Sequence, residues 1–306
     1  MAGFIPAIHV GMQKPSIGFC GATWMPGTSP GMTIGNRGSR RPMFDKVMHA
    51  VTGWQTWASL AVFVVFLAAW QWGPPLIGIP SYIVPTASEC YHEFFRMIGR
   101  DNLFYHTAVT AMEVIVGFAL GALLGMVVGY VLGMSPVTEL VLSPYILALQ
   151  IAPKVAFAPL FVMWFGFTVY PKILVAVLIV FFPIMVNVLT AIRTVDHDMI
   201  NLARSFTATR LQVFWKIEFR AAMPPLFAGL RIGSTLAVIG VLVGELVGGN
   251  TGLGYLLVFG EGAANTAMVF VTIILLTMIG IVAYVAVILA ESRVLHYIPA
   301  RSNEAI

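Results

Sequence analysis

The sequence predicts an all-α polytopic membrane protein with about six transmembrane helices, and three observations carry that class. Of 306 residues only 10% are charged, 59% are hydrophobic and mean hydropathy is +0.90, which leaves too little polar surface to cover a soluble globule of this size. Six apolar stretches, at about 50–72, 104–133, 137–167, 171–192, 225–247 and 267–290, each approach or exceed the ~20 residues that a helix needs to cross ~30 Å of hydrocarbon. None of them alternates with the period of two that a closed transmembrane barrel requires.

In chain order, residues 1–45 are rich in Gly, Pro, Ser and Met and lack periodicity, so they read as a disordered leader or as sequence ahead of the true start. The transmembrane domain follows over 46–298, and 299–306 is a cytoplasmic tail. Trp54 and Trp57 at one end of the first span, with Trp70 and Trp72 at the other, fit interfacial aromatic belts. Residues 81–100 mix apolar side chains with Glu89, Glu93, Arg96 and Arg100 at helical spacing, the pattern of an amphipathic helix lying on the outer surface.

The second span carries Gly117, Gly121, Gly125, Gly129 and Gly133, one at every fourth position. Such a row forms a slowly winding groove in which a neighbouring backbone can approach closely, so it predicts a helix-packing face. Gly229, Gly233, Gly240, Gly244 and Gly248 repeat the device in the fifth span. Gly133 to Pro136 make a tight inner hairpin between the second and third spans. Glu113 and Lys154, at similar distances from that hairpin, both come out roughly 27–30 Å above it if each helix is straight, and are therefore a candidate intramembrane pair. A lone charge in hydrocarbon costs several kcal/mol, so each group must find a partner, a cavity or the interface. The pair is either a structural salt bridge or a polar patch on a translocation path.

Basic residues sort by membrane side. Lys14, Arg37, Arg40, Arg41 and Lys46 precede the first span, which predicts a cytoplasmic amino terminus. Counting spans from there puts Arg193, Arg204, Arg210, Lys216 and Arg220 inside, with Arg293 and Arg301 after the last span, and leaves only Arg96, Arg100 and Lys172 outside. This distribution also removes nucleic acid as a partner, because no basic patch forms. Cys20 and Cys90 are too few for a disulfide framework or metal site, the six histidines are scattered, and no nucleophile, acid and base converge, so neither a metal centre nor a catalytic residue is predicted.

The polar loop at 193–222 interrupts this apolar chain. Asp196 or Asp198 can cap a short helix running through Phe206, and Thr209 with Gln212 forms a capping box that opens a second. A helix of one to two turns is unstable alone and needs a groove to lie in. Small Ala203 permits close approach there, and Arg204 and Arg210 supply donors. Gly248, Gly249, Gly252 and Gly254 have a phosphate-loop appearance, but they fall outside the membrane by the span count and read as an outer turn facing an external partner. No G-x-x-x-x-G-K-[ST] sequence occurs in the chain, so an ATP-driven motor would have to be a separate protein.

Several stretches, taken together and in order, carry a likeness: PKVAFAPLFVMWFGF at 153–167, FFPIMVN at 181–187, the spacing from Arg193 to Ser205, PPLFAGLRIG at 224–233, and GELVGGNTGLGYL at 244–256. With them the chain resembles, from about Ile83 to Glu291, the ABC-importer permeases of the nitrate/sulfonate/taurine branch. In that family's coupling loop the pattern reads Glu-Ala-Ala, three residues, Gly, and later Ile-x-Leu-Pro. Here Asn201 stands at the Glu position, Leu202 and Ala203 at the two Ala positions, Thr207 at the Gly, and Ile217 to Arg220 replace Ile-x-Leu-Pro. Because Thr resists the left-handed conformation that Gly accepts, the turn after the short helix is expected to be made differently.

The resemblance implies an ABC importer permease fold, not an enzyme, with no cofactor in this chain and ATP bound by a partner subunit. Asn201 to Arg210 would be the cytoplasmic coupling helix, with Asn201, Leu202, Ala203, Arg204, Ser205, Thr207 and Arg210 as the residues that meet the ATPase. It further implies cytoplasmic ABC ATPase subunits, a periplasmic or extracellular substrate-binding protein, and a second permease copy in a homodimer in the inner (plasma) membrane. The cargo would be a small organic solute, with riboflavin or the pyrimidine precursor of thiamine favoured and an aliphatic sulfonate next. The rival class is a secondary transporter or channel without an ATPase, for which matching broken helices in two halves would be expected.

Overall fold

The computed structural model describes residues 54–296 apart from Thr194, so the sequence-read leader and tail lie outside it. The chain divides into two units after Ala58, and the bundle is built by residues 59–296. Every regular element among the described residues is helical: α1 (Trp54–Ile77), α2 (Ala87–Arg100), α3 (Leu103–Met134), α4 (Pro136–Ile151), α5 (Ala158–Phe165), α6 (Val169–Arg193), α7 (His197–Ser205), α8 (Arg210–Gly248), α9 (Leu253–Gly262) and α10 (Thr266–Val294).

Helix α6 is the axis of the bundle, clasped between α3 on one side and α8 on the other. The glycine rows explain the closeness. A Cβ placed on Gly117 would lie 2.6 Å from the Cβ of Ala176, and one on Gly121 would lie 2.9 Å from the Cβ of Val180. On Gly125 and Gly129 it would meet the carbonyl oxygens of Phe181 and Met185 at 2.7 and 2.5 Å, and on Gly133 it would meet Ile192. From the opposite side, Gly240 opposes the Ala176 backbone at 2.6 Å and Gly244 that of Lys172 at 2.5 Å. One helix is thus seated in two glycine grooves at once, and Ala176, Val180 and Ile184 are fully buried. Lipid tails are as apolar as these side chains, so close van der Waals packing rather than hydrophobic transfer holds the three helices together. Around this trio, α9 and α10 pack on α8, α2 rests against α10 and α3, and α5 lies against α6 and α8.

Three span boundaries differ clearly from the sequence reading. The stretch at 137–167 is not one span: α4 ends at Ile151, and the chain turns by 81° before the segment Lys154–Phe165. Pro153 has no amide hydrogen to continue the ladder, and it pushes Ala152 out of helical geometry (ψ 137°). Among the described residues, five helices are long and apolar enough to cross a membrane, or six if the bent pair counts as one. Helix α1 runs on to Ile77 through Pro74 and Pro75, and the Trp70 indole N–H donates to the Pro85 carbonyl at 3.0 Å. Helix α8 starts at Arg210, not near 225. Arg220 stands where the family pattern ends in Pro, so nothing stops the helix, which instead passes through a π-helical turn at Phe214–Glu218. In consequence the polar loop shrinks to the residues between Arg193 and Arg210.

Candidate functional site

At the end of the bundle opposite α7, the row of small residues on α3 continues upward as polar ones: Glu113, Thr110 and His106. Each is matched by a group on α6, α8 or the turn before α9. Lys172, in the first turn of α6, is among the most deeply buried side chains. Its Nζ donates to Glu113 Oε1 at 2.9 Å and to the Thr251 carbonyl at 2.9 Å. Both members of this ion pair have side chains only 2% exposed. The carboxylate of Glu245 in α8 accepts from the Thr110 hydroxyl at 2.6 Å and from the Gly254 amide at 2.6 Å. Thr110 in turn accepts from the Leu253 amide at 2.8 Å, and His106 Nδ1 accepts from the Gly252 amide at 3.0 Å.

The amide of Gly252 and the first two amides of α9 therefore find their acceptors on other helices, not on a capping residue of their own. A carboxyl oxygen accepting at that terminus also suits the partial positive charge of the helix end. Gly252 has φ +109°, where other residues are strained, and a Cβ there would overlap the Glu245 carboxylate. The turn of Gly252 and Gly254 is thus clamped onto the buried cluster.

The proposed pair of Glu113 and Lys154 does not form. Lys154 Nζ donates to the Gln150 carbonyl at 2.6 Å and lies 5.0 Å from the centre of the Phe182 ring. The depth reckoning assumed a straight third span, and the break at Pro153 removes that premise. Glu113 does face protein, as its continuation of the glycine row suggested, but its partner is Lys172, which the span count had left in an outer loop. Sequence reasoning missed Lys172, Glu245, Thr110 and His106. The signal available for two of them was the spacing 106, 110, 113, 117, which is one helical face.

On α2, a buried carboxylate, Glu93, is satisfied by Arg96 at 2.7 Å and by Asn265 at 2.7 Å. Burial, with Glu89 nearby, raises the Cys90 thiol to about 11, so it stays protonated and inert.

At the other end, α7 starts where a cap was expected: the Asp196 side chain accepts from the Asp198 amide at 2.8 Å. The helix ends at Ser205, so the expected element from Asn201 to Arg210 is really the last half of α7, a turn, and the first residue of α8. The capping box of Thr209 and Gln212 is present. Asn201, Arg204, Ser205, Thr207 and Arg210 are exposed, while Ala203 is half-buried. The apolar side chains that reach solvent are Met199, Leu202 and Phe206, three and four residues apart on one face.

The turn itself corrects an expectation. Thr207 adopts φ +58°, the left-handed conformation of a glycine-type C-cap. The Ala208 amide donates to the Ala203 carbonyl at 3.1 Å and the Thr207 amide to that of Arg204 at 2.9 Å, the paired bonds of a Schellman motif. The turn has the geometry of a glycine C-cap without a glycine. The Thr207 hydroxyl offsets part of the conformational cost by donating to the Phe206 carbonyl at 2.7 Å. Thr207→Gly is expected to stabilise the loop by about 1 kcal/mol, read as slower hydrogen exchange at the amides of Thr207 and Ala208. Unchanged or faster exchange would mean that the turn is not strained.

A bundle of long apolar helices, with a buried polar clamp at one end and a short helix with an exposed apolar face at the other, defines an all-α integral membrane protein. Residues 121–296 match the family described as binding-protein-dependent transport system inner membrane component, and the chain belongs to that family, the permeases of ABC importers. It is 37% identical over 238 residues, 77% of this chain and 89% of the relative, to the riboflavin transport system permease protein RibX of Chloroflexus aurantiacus. It is 33% identical to a putative aliphatic sulfonates transport permease protein SsuC of Bacillus subtilis, covering 80% and 88% of the two chains. With the formylaminopyrimidine transport permease protein ThiX of Halalkalibacterium halodurans the identity is 31%, covering 74% and 89%. The chain is accordingly a permease subunit for a small solute, a transport protein whose system includes an ATPase and a substrate-binding protein.

Proposed function

We propose that two copies of this chain form the translocation path of an ATP-driven importer, with α7 lodged in a cleft of each ATPase and the amino terminus in the cytoplasm. The observation that carries this reading is α7 itself. It has nine residues, too few to be stable alone, and it presents Met199, Leu202 and Phe206 to solvent beside the polar residues Asn201, Arg204 and Ser205. ATP is bound by the partner, whose closure levers α6 and α8 through α7, the segment between them. The clamped turn at Gly252 and Gly254, at the far end of the same two helices, is the surface offered to the binding protein.

The cargo is a small organic solute. Relatives named for riboflavin, aliphatic sulfonates and formylaminopyrimidine stand at 37%, 33% and 31% identity, which favours riboflavin first and leaves the thiamine pyrimidine precursor and an aliphatic sulfonate as the next candidates. The test is reconstitution of the chain with its ATPase and binding protein in vesicles. Uptake of labelled riboflavin, formylaminopyrimidine and an alkanesulfonate is compared with and without ATP hydrolysis. One solute should accumulate only when ATP is hydrolysed. Accumulation driven by an ion gradient with the ATPase omitted would overturn the proposal in favour of a secondary transporter.

A further inference from the structure

Two adjoining cavities lie between α3, α6, the α7–α8 turn and the π-helical start of α8. One, of about 390 Å³, is polar and is lined by Arg204, Arg210 and Met134; the other, of about 330 Å³, is apolar and is lined by Leu123, Val127, Val131, Ile192 and Leu226. They share Tyr130, Phe214 and Glu218, so they form one amphipathic recess. Among the described residues neither Arg204 nor Arg210 is in an ion pair. The Glu218 Oε2 is buried without a hydrogen-bond partner. Leu123, Val127 and Val131 form an exposed strip along α3 that leads out of the recess.

We propose that this recess holds one phospholipid with a primary-amine headgroup, such as phosphatidylethanolamine. Its phosphate lies against Arg204 and Arg210, its ammonium donates to Glu218, and an acyl chain runs along Leu123, Val127 and Val131. The charges select the headgroup. Two guanidinium groups answer a phosphate, and basic pockets between spans at the cytoplasmic face are common headgroup sites. Phosphatidylglycerol offers the same phosphate, but its neutral hydroxyls bring no cation to balance the Glu218 carboxylate. A choline headgroup carries the positive charge but has no N–H to give the buried oxygen. A soluble anion would leave the apolar half of the recess unfilled. The proposal rests on the reading that α7 lies at the cytoplasmic face, but its readout does not depend on transport.

The test is lipid retention by the full-length purified chain, titrated with dioleoyl phosphatidylethanolamine, phosphatidylcholine and phosphatidylglycerol and read by native mass spectrometry. Phosphatidylethanolamine should be retained about tenfold over phosphatidylcholine, the effect of one charge-assisted hydrogen bond. Glu218→Gln should bring that preference to near unity. Val127→Trp, which fills the apolar half at an exposed position, should lower retention of all three lipids. Equal retention of the first two, a preference for phosphatidylglycerol, a preference that survives Glu218→Gln, or no retention at all would overturn the proposal. Failed ATP-driven uptake with lipid selectivity intact would sink the transport reading and leave this one standing.

Discussion

Lys172→Met is expected to cost about 3–5 kcal/mol of stability, while the same change at Lys154 costs under about 0.5 kcal/mol. The two lysines separate what the sequence suggests from what the fold does. Lys172 and Glu113 are each 2% exposed in their side chains and bonded at 2.9 Å. Removing the ammonium leaves the Glu113 carboxylate buried without a cation, with the Glu245 carboxylate held close by on Thr110 and Gly254. It also frees the Thr251 carbonyl, which Lys172 ties to α6 at 2.9 Å. The single variant should therefore lose both its charge balance and its grip on the turn before α9. It is expected to aggregate or to melt far below the wild type in detergent.

Replacing the pair together, Lys172→Met with Glu113→Leu, should recover most of the loss, because a buried ion pair contributes little net of desolvation. Lys154, half-buried, bonds only the Gln150 carbonyl four residues before it and sits over the Phe182 ring. The measurement is the unfolding temperature of the four proteins by intrinsic fluorescence. A Lys172→Met protein as stable as wild type, or a double variant no better than the single, would show that this pair is not the clamp.

Much of the fold was legible because its causes are local or periodic. The glycine row on α3 recurs every four residues, so its role as a packing face could be read from spacing alone; that its partner is α6 could not, since nothing in the row names the helix that enters the groove. The caps at Asp196 and Thr209 were legible because a cap is settled within three residues. The partner of Glu113 was not, because it lies 59 residues away and its depth depends on where helices start and bend. Pro153 was visible, yet the apolar run on both sides of it outweighed its breaker signal, and the straight-helix geometry then sent Glu113 to the wrong lysine. Lys216, Glu218 and Arg220 made the start of α8 look like loop by hydropathy, although no residue there stops a helix. Thr207 failed for the opposite reason: its local preference was read correctly and was overridden by the turn that joins α7 to α8.

Leu202→Glu should reduce ATP-driven uptake and binding-protein-stimulated ATP hydrolysis to background while leaving the amount of chain in the membrane unchanged. Leu202 is 60% exposed and Phe206 77% exposed, so within this chain neither side chain has packing to lose. On the proposed reading, both side chains are buried against the ATPase. Burying a leucine there would stabilise the contact by roughly 1.5–3 kcal/mol, and burying an unpaired carboxylate in its place reverses that sign. The expected weakening of the ATPase contact is at least about a hundredfold, the factor that ~2.7 kcal/mol represents. Ala203, half-buried against its own turn, is the poorer probe, because a large substitution there would disturb the Schellman bonds as well as the contact. Phe206→Ser should act in the same direction with a smaller effect, since Met199 and Leu202 remain. The checks are co-purification of the ATPase with the variant chain and transport in reconstituted vesicles. If Leu202→Glu retains the ATPase and transports at the wild-type rate, the exposed face of α7 is not the lever, and force must reach α6 and α8 by another route.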